Sequence, residues 1–116
     1  MKQGIDPEVL RAIVGDDPEM AREVVEDFVP SARSGIAEIR AAVESTISER
    51  VKIASHKLKG SSFLVGAQQL GETCARLEAA GHQGDWGTIR QLLSQLDGLM
   101  SDVEASAAEF LRQGMG

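Results

Sequence analysis

Helix start signals recur along this chain and leave little room for strands. Aspartate precedes proline at Asp6–Pro7 and at Asp17–Pro18, an arrangement in which the carboxylate caps a helix and the proline occupies its first turn. After each signal, apolar residues recur every three or four positions, and no segment shows the strict alternation of a half-buried strand. The pattern predicts an all-α protein.

Start and stop signals also predict approximate helix bounds. Gly15 ends a short first helix, Ser48 caps the third helix and Gly81 stops the fourth. Pro30 interrupts the second helix and predicts a kink there, or two helices in line. The predicted helices cover about residues 7–14, 18–45, 48–64, 67–80 and 85–112.

Short connections predict how these helices are arranged. Consecutive long helices joined by short loops pack as antiparallel neighbours, so we expect an up-and-down four-helix bundle with a short extra N-terminal helix. A coiled-coil rod is the weaker alternative, because residues 65–67 and 81–85 carry loop signals. With 116 residues, the chain is long enough for a single core, and we treat 1–116 as one domain.

Composition excludes several classes of function. A net charge of −6 argues against a nucleic-acid module, since phosphate contacts need a basic face. Residues 1–20 contain no continuous apolar segment, which predicts neither a signal peptide nor membrane insertion. The single cysteine, Cys74, allows no internal disulfide and is expected to be a buried small hydrophobe. These features predict a cytoplasmic protein.

The segment "ASHKLKGSSFLVG", residues 54–66, contains an exposed histidine on a predicted helix. At about 100° per residue, apolar and small residues occupy one face and His56 the opposite face. Gly60 costs about 1 kcal/mol relative to alanine, yet it projects where no neighbouring helix needs room. The face shared with His56 also contains Lys52, Lys59 and Phe63, with Lys57 at its edge.

Two interpretations of this face are open. Lysines beside an exposed histidine commonly form a solvated helix surface, and a glycine within a helix sometimes marks a close helix contact. Alternatively, a group from solution approaches His56. A phosphoryl group fits the second interpretation, because Lys59 would neutralise it and Gly60 would leave it space.

The segment "HKLKGSS", followed by Gly66, Leu70, Cys74 and "RLEAAG", resembles the histidine-containing phosphotransfer (HPt) domain of bacterial and fungal two-component phosphorelays. The family pattern is a histidine, an apolar residue at +2, lysine at +3, glycine at +4 and a small residue at +5. The matching residues are His56, Leu58, Lys59, Gly60 and Ser61. The resemblance covers about residues 18–112 and implies an antiparallel four-helix bundle with the histidine exposed on the second bundle helix.

The resemblance implies a phosphocarrier without its own kinase activity. His56 would accept a phosphoryl group from an aspartyl phosphate on one receiver domain and pass it to an aspartate on another. Lys59 would contact the phosphoryl oxygens, and Gly60 would admit the receiver. Glu78 would bond the other ring nitrogen and orient the imidazole, unless it is a solvated surface carboxylate. No cofactor or metal of its own is expected, because the receiver supplies Mg²⁺.

The resemblance also implies partners, namely receiver (response regulator) domains and an upstream hybrid histidine kinase. Lys52, Lys57 and Phe63 are the predicted docking residues, with the lysines complementing an acidic receiver rim. The alternative for Phe63 is a packing role against the first helix region. We expect a monomer, because the family fold is complete in one chain.

Other classes fit the residues less well. A histidine-kinase dimerisation helix normally has an acidic residue directly after the histidine and a proline soon after, where this chain has Lys57 and Gly60. A di-metal bundle needs Glu-x-x-His pairs, but Ile53 and Ala79 occupy the positions three before each histidine. A non-phosphorylated helical adaptor, or the phosphoacceptor domain of a larger hybrid or chemotaxis-type kinase, remains an alternative function.

Overall fold

The computed structural model describes residues 4–114 and contains six α-helices in that range. They are α1 (Pro7–Val14), α2 (Pro18–Glu44), α3 (Ser48–Leu64), α4 (Gln68–Gln83), α5 (Trp86–Leu93) and α6 (Leu96–Gln113). The predicted all-α class is confirmed. The domain prediction for 1–116 also includes residues 1–3 and 115–116, which lie outside the described range.

Side-chain caps start the first two helices. The Asp6 carboxylate accepts from the Glu8 backbone N–H at 3.0 Å, and Asp17 accepts from the Met20 N–H at 3.1 Å. These bonds satisfy donors that a helix N-terminus leaves unpaired. The helix α2 is continuous from Pro18 to Glu44 with Pro30 inside it, so the alternative of two separate helices is wrong.

The predicted cap of α3 is wrong. Ser48 is the first residue of the helix, and Ile47 precedes it as the N-cap with no side-chain hydrogen bond. The preceding residue, Thr46, has a φ of 56°. The turn between α2 and α3 is thus set by backbone conformation rather than by a capping hydroxyl.

Gly81 does not stop the fourth helix. It is buried inside α4, which continues to Gln83 and ends at Gly84 with a left-handed φ of 68°. A Cβ at Gly81 would lie 2.8 Å from the backbone nitrogen of Lys52. The glycine therefore serves a close contact between helices, and the chain turns three residues later.

The predicted last helix over 85–112 consists of two helices, α5 and α6. Asp85 caps α5 by accepting from the Thr88 N–H at 3.2 Å. The Ser94 hydroxyl donates to the Gln91 carbonyl at 2.6 Å, a local bond that competes with the regular helix ladder. The apolar stripe continues across the break, because Leu92 and Leu96 are both buried.

The bundle consists of α2, α3, α4 and the α5–α6 segment. Together with α1, the structure measures 44 × 23 × 21 Å. Adjacent helices run antiparallel: Lys52 near the start of α3 lies against Gly81, and Phe63 near its end lies against Gly71. Arg33–Glu104 and Arg40–Asp97 pairs join α2 to α6. The largest fully buried side chains are Leu10, Ile39, Leu70, Leu77, Ile89, Leu92 and Leu96.

The N-terminal segment closes one end of this bundle. The backbone N–H of Asp6 donates to the Val65 carbonyl at 3.0 Å, and Leu10 of α1 is fully buried.

Over residues 4–114, no helix combines the length and apolar character needed to cross a membrane.

Candidate functional site

The helix α3 directs His56 away from the core. Its neighbours Ser55 and Leu58 are buried, because they lie on the core-facing side of the helix, whereas His56 lies on the opposite side. The His56 side chain is 65% exposed. Its ring therefore lies at the surface near the middle of α3, on the face that the sequence pattern predicts.

A single carboxylate on α4 connects the predicted site residues. Glu78 Oε2 lies 2.8 Å from His56 Nδ1, and Glu78 Oε1 accepts from Lys59 Nζ at 2.7 Å. The Glu78 side chain is only 22% exposed. The structure thus brings His56, Lys59 and Glu78 together across the α3–α4 contact.

The surroundings of Glu78 keep it ionised. The hydrogen bond from Lys59 is the largest cause that holds the pKa of Glu78 below its ordinary value; partial burial opposes this effect, and the bond to His56 adds to it. An ionised carboxylate only accepts hydrogen bonds. The network consequently assigns the ring proton to Nδ1 of His56, which leaves the lone pair of the neutral ring on Nε2.

Gly60 follows on the same exposed surface. It is an exposed residue, and a Cβ at this position would meet nothing within 4 Å. No part of the described chain requires a glycine here. The open space beside the His56 ring is available to a molecule from solution.

The three lysines around His56 each have an acidic neighbour. The pairs are Lys52 with Glu49 (3.7 Å), Lys57 with Glu38 (3.5 Å) and Lys59 with Glu78 (2.7 Å). In the isolated chain their positive charge is therefore largely compensated locally.

Phe63 has both a packing contact and an exposed surface. Phe63 is 37% exposed. Its ring lies so close to Gly71 that a Cβ at that glycine would be 2.6 Å away. The ring therefore packs against α4 over Gly71. This contact is not among the sequence-based predictions, and its signal in the sequence is Gly71, a glycine inside the predicted fourth helix.

The second histidine and the acidic residues form no metal centre in the described range. His82 lies one turn after Glu78 on α4 and is exposed. Among residues 4–114, no three histidine, cysteine or acidic side chains are placed to hold an ion together.

Comparisons with known proteins agree with this geometry. A family model described as the Hpt domain matches residues 23–106. A solved structure of histidine-containing phosphotransfer protein B (HptB) from Pseudomonas aeruginosa PAO1 superposes with a TM-score of 0.89 at 18% identity. The alignment covers 97% of this chain and 98% of that chain. Comparison with curated protein sequences gave no significant match.

Proposed function

Because this chain belongs to the Hpt domain family and is an intermediate of phosphorelays, we propose that His56 is its phosphoacceptor. The observation that carries this proposal is that an exposed imidazole ring has a carboxylate at Nδ1. Glu78 occupies Nδ1 at 2.8 Å, while the side chain is mostly exposed. The unprotonated Nε2 is thereby directed to a partner in solution.

The transfer is a nucleophilic displacement at phosphorus. The Nε2 lone pair forms an N–P bond as the bond from phosphorus to the aspartyl oxygen breaks, and the aspartate leaves as a carboxylate. The attacking nitrogen and the leaving oxygen must lie in line. The same step in reverse passes the phosphoryl group to the aspartate of a second receiver domain.

Lys59 and Gly60 serve the incoming phosphoryl group. The Lys59 ammonium lies on the same carboxylate as His56, close enough along α3 to compensate phosphoryl charge. The open space at Gly60 admits the receiver. The chain contributes a nucleophile and a cation, and we propose that the receiver supplies Mg²⁺ and that this phosphocarrier has no kinase activity of its own.

The proposed partners are receiver domains and an upstream hybrid histidine kinase. They would dock on the exposed surface around His56, with Lys52 and Lys57 at its charged part and Phe63 at its apolar part. Rim charges of this kind act mainly on the rate of encounter. The protein would act as a monomer in the cytoplasm.

Substitution of His56 tests this function. We expect His56→Gln to abolish labelling from a radiolabelled phosphorylated receiver with Mg²⁺, because the amide has no nucleophilic ring nitrogen. His82→Gln is the matched control, since it removes the other of the two histidines. Wild type and the control should carry an acid-labile, alkali-stable label.

The adaptor alternative makes the opposite prediction. Label that persists in His56→Gln would exclude His56 as the acceptor. A wild-type protein that binds receivers but never acquires label from any of them would favour a non-phosphorylated adaptor.

A further inference from the structure

The two oxygens of Glu78 have different partners. Oε2 lies 2.8 Å from His56 Nδ1, and Oε1 accepts from Lys59 Nζ at 2.7 Å. A carboxylate held at both oxygens has little freedom to rotate. Its position relative to the ring is therefore set by the fold before any phosphoryl group arrives.

We propose that Glu78 retains the Nδ1 proton of His56 throughout the transfer cycle, so that the phosphorylated ring is a phosphoimidazolium and departs as neutral imidazole. This inference rests on the proposed function of His56. It adds a statement about where the proton resides in the phosphorylated form, which the acceptor role alone does not specify.

Each half of the cycle balances without a proton from solvent. When Nε2 forms the N–P bond, the ring gains one positive charge and keeps its Nδ1–H, while the aspartate gains one negative charge as it leaves. In the reverse step the N–P electron pair returns to Nε2, and the ring becomes neutral again. Glu78 faces the proton at every stage and stabilises the cationic ring, because an opposite charge in contact favours the charged form.

Without that carboxylate, the phosphorylated ring loses its Nδ1 proton to water more readily. The N–P bond of a deprotonated ring must break with imidazolate as the leaving group, which is far less favourable than neutral imidazole. Loss of the carboxylate should therefore make the phosphohistidine more persistent at alkaline pH. The rate of phosphoryl loss becomes a measure of the protonation that Glu78 maintains.

The lysines around the ring are each paired with a carboxylate. On α3, Lys52 is paired with Glu49, and Lys57 with Glu38 of α2. On α4, His82 lies one turn beyond Glu78 and is exposed. Lys59 bonds the Glu78 oxygen that does not face the ring. Glu78 is the carboxylate in contact with Nδ1, so its removal changes the charge at that atom directly.

The test compares phosphohistidine lifetimes without any receiver. Wild type and Glu78→Gln are phosphorylated with phosphoramidate, freed of reagent, and followed for loss of phosphate between about pH 5 and pH 9. We expect the alkaline fall in hydrolysis rate to occur about one pH unit lower in Glu78→Gln. Around pH 8 the variant should then lose phosphate about tenfold more slowly than wild type.

The matched control is Glu72→Gln on the same helix, whose carboxylate accepts from the Gln68 side chain of α4 itself at 2.9 Å. It should reproduce the wild-type profile. Glu78→Asp should resemble Glu78→Gln, because a side chain shorter by one methylene is withdrawn from Nδ1.

Coincident profiles for wild type and Glu78→Gln would overturn the proposal. A second readout needs no variant: ¹⁵N chemical shifts of the unphosphorylated His56 ring should show Nδ1 protonated, and the Nε2–H tautomer would also overturn it. These outcomes differ from a failure of the proposed function, in which His56 would acquire no phosphoryl group at all.

Discussion

At the scale of single residues, Gly60 departs from what helix stability alone favours. Glycine in a helix interior is less favourable than alanine by about 1 kcal/mol. In α3 no neighbouring atom accounts for it, since a Cβ there would meet nothing within 4 Å. The cost is consistent with a requirement imposed from outside the chain, beside His56.

Replacing Gly60 should separate stability from function. We expect Gly60→Ala to raise the free energy of unfolding by up to about 1 kcal/mol, because the folded helix gains propensity without a clash. Phosphoryl transfer from a receiver should slow by about tenfold, since the methyl group narrows the approach to His56. Urea unfolding and single-turnover transfer measure the two effects.

Gly98→Ala provides the control for that experiment. Gly98 is also exposed within a helix and has open space at its Cβ position, but it lies on α6. The Gly98→Ala substitution should stabilise the fold without affecting phosphoryl transfer. Unchanged transfer in Gly60→Ala would show that the receiver does not need this space.

At the scale of elements, the α3–α4 pair decides the site. Gly71 lies under the Phe63 ring and Gly81 lies against the α3 backbone at Lys52, so the two glycines bracket Glu78 along α4. Side chains at either position would hold the helices farther apart. The close approach is what allows the Glu78 carboxylate to reach His56 Nδ1 at 2.8 Å.

Widening this contact should affect both stability and the site. A Cβ at Gly81 would lie 2.8 Å from Lys52 N and 3.0 Å from Ser48 O, both backbone atoms. We therefore expect Gly81→Ala to destabilise the fold by roughly 1–3 kcal/mol, despite the better helix propensity of alanine. Urea denaturation of Gly81→Ala and Gly98→Ala, each compared with wild type, shows whether the free energy of unfolding falls or rises.

The same variant should disturb the ring. Displacement of α4 weakens the Glu78–His56 bond, which a change in the His56 ¹⁵N shifts would reveal. A Gly81→Ala protein as stable as wild type, with unchanged shifts, would show that the helices tolerate the added methyl group and that their spacing does not set the site.

At the scale of the whole molecule, the bundle buries its only cysteine completely. Cys74 of α4 is 0% exposed, and burial raises the pKa of its thiol to about 12. Only the thiolate reacts readily with disulfide reagents. The residue packs as a small hydrophobe, as the sequence predicts, and its reactivity reports opening of the core.

We expect Cys74 to react slowly with a thiol reagent in native buffer near pH 8 and rapidly in denaturing urea. Since the folded pKa lies above that of the unfolded chain, stability should also fall as the pH rises above about 9, where the unfolded thiol ionises and the buried one does not. Rapid labelling in native buffer, at the rate of a free thiol, would contradict the buried position.

Local features of the sequence predict much of this fold. Asp6 and Asp17 cap helices because a carboxylate at that position reaches the backbone two or three residues on. His56 is exposed because the helical repeat directs it away from Leu58 and the core. Both outcomes depend on interactions within a few residues, which the sequence order already contains.

Other features arise only when helices meet. Glycine at position 81 predicts the end of a helix, yet α4 continues through it. The Lys52 backbone of α3 accounts for this glycine, because it leaves no room for a side chain. Ser48 looks like a cap, but Ile47 precedes the helix. The break between α5 and α6 likewise differs from the single helix predicted over 85–112, although the apolar stripe continues across it.

Residue order alone predicts which side chains can form the site: a histidine, a lysine and a glycine spaced along one exposed helix face. Only in the folded bundle does one carboxylate of α4 hold both His56 and Lys59. The distance between two packed helices depends on the smallest side chains at their contact, here Gly71 and Gly81. Helical periodicity predicts the direction of each side chain, but not how closely two helices approach.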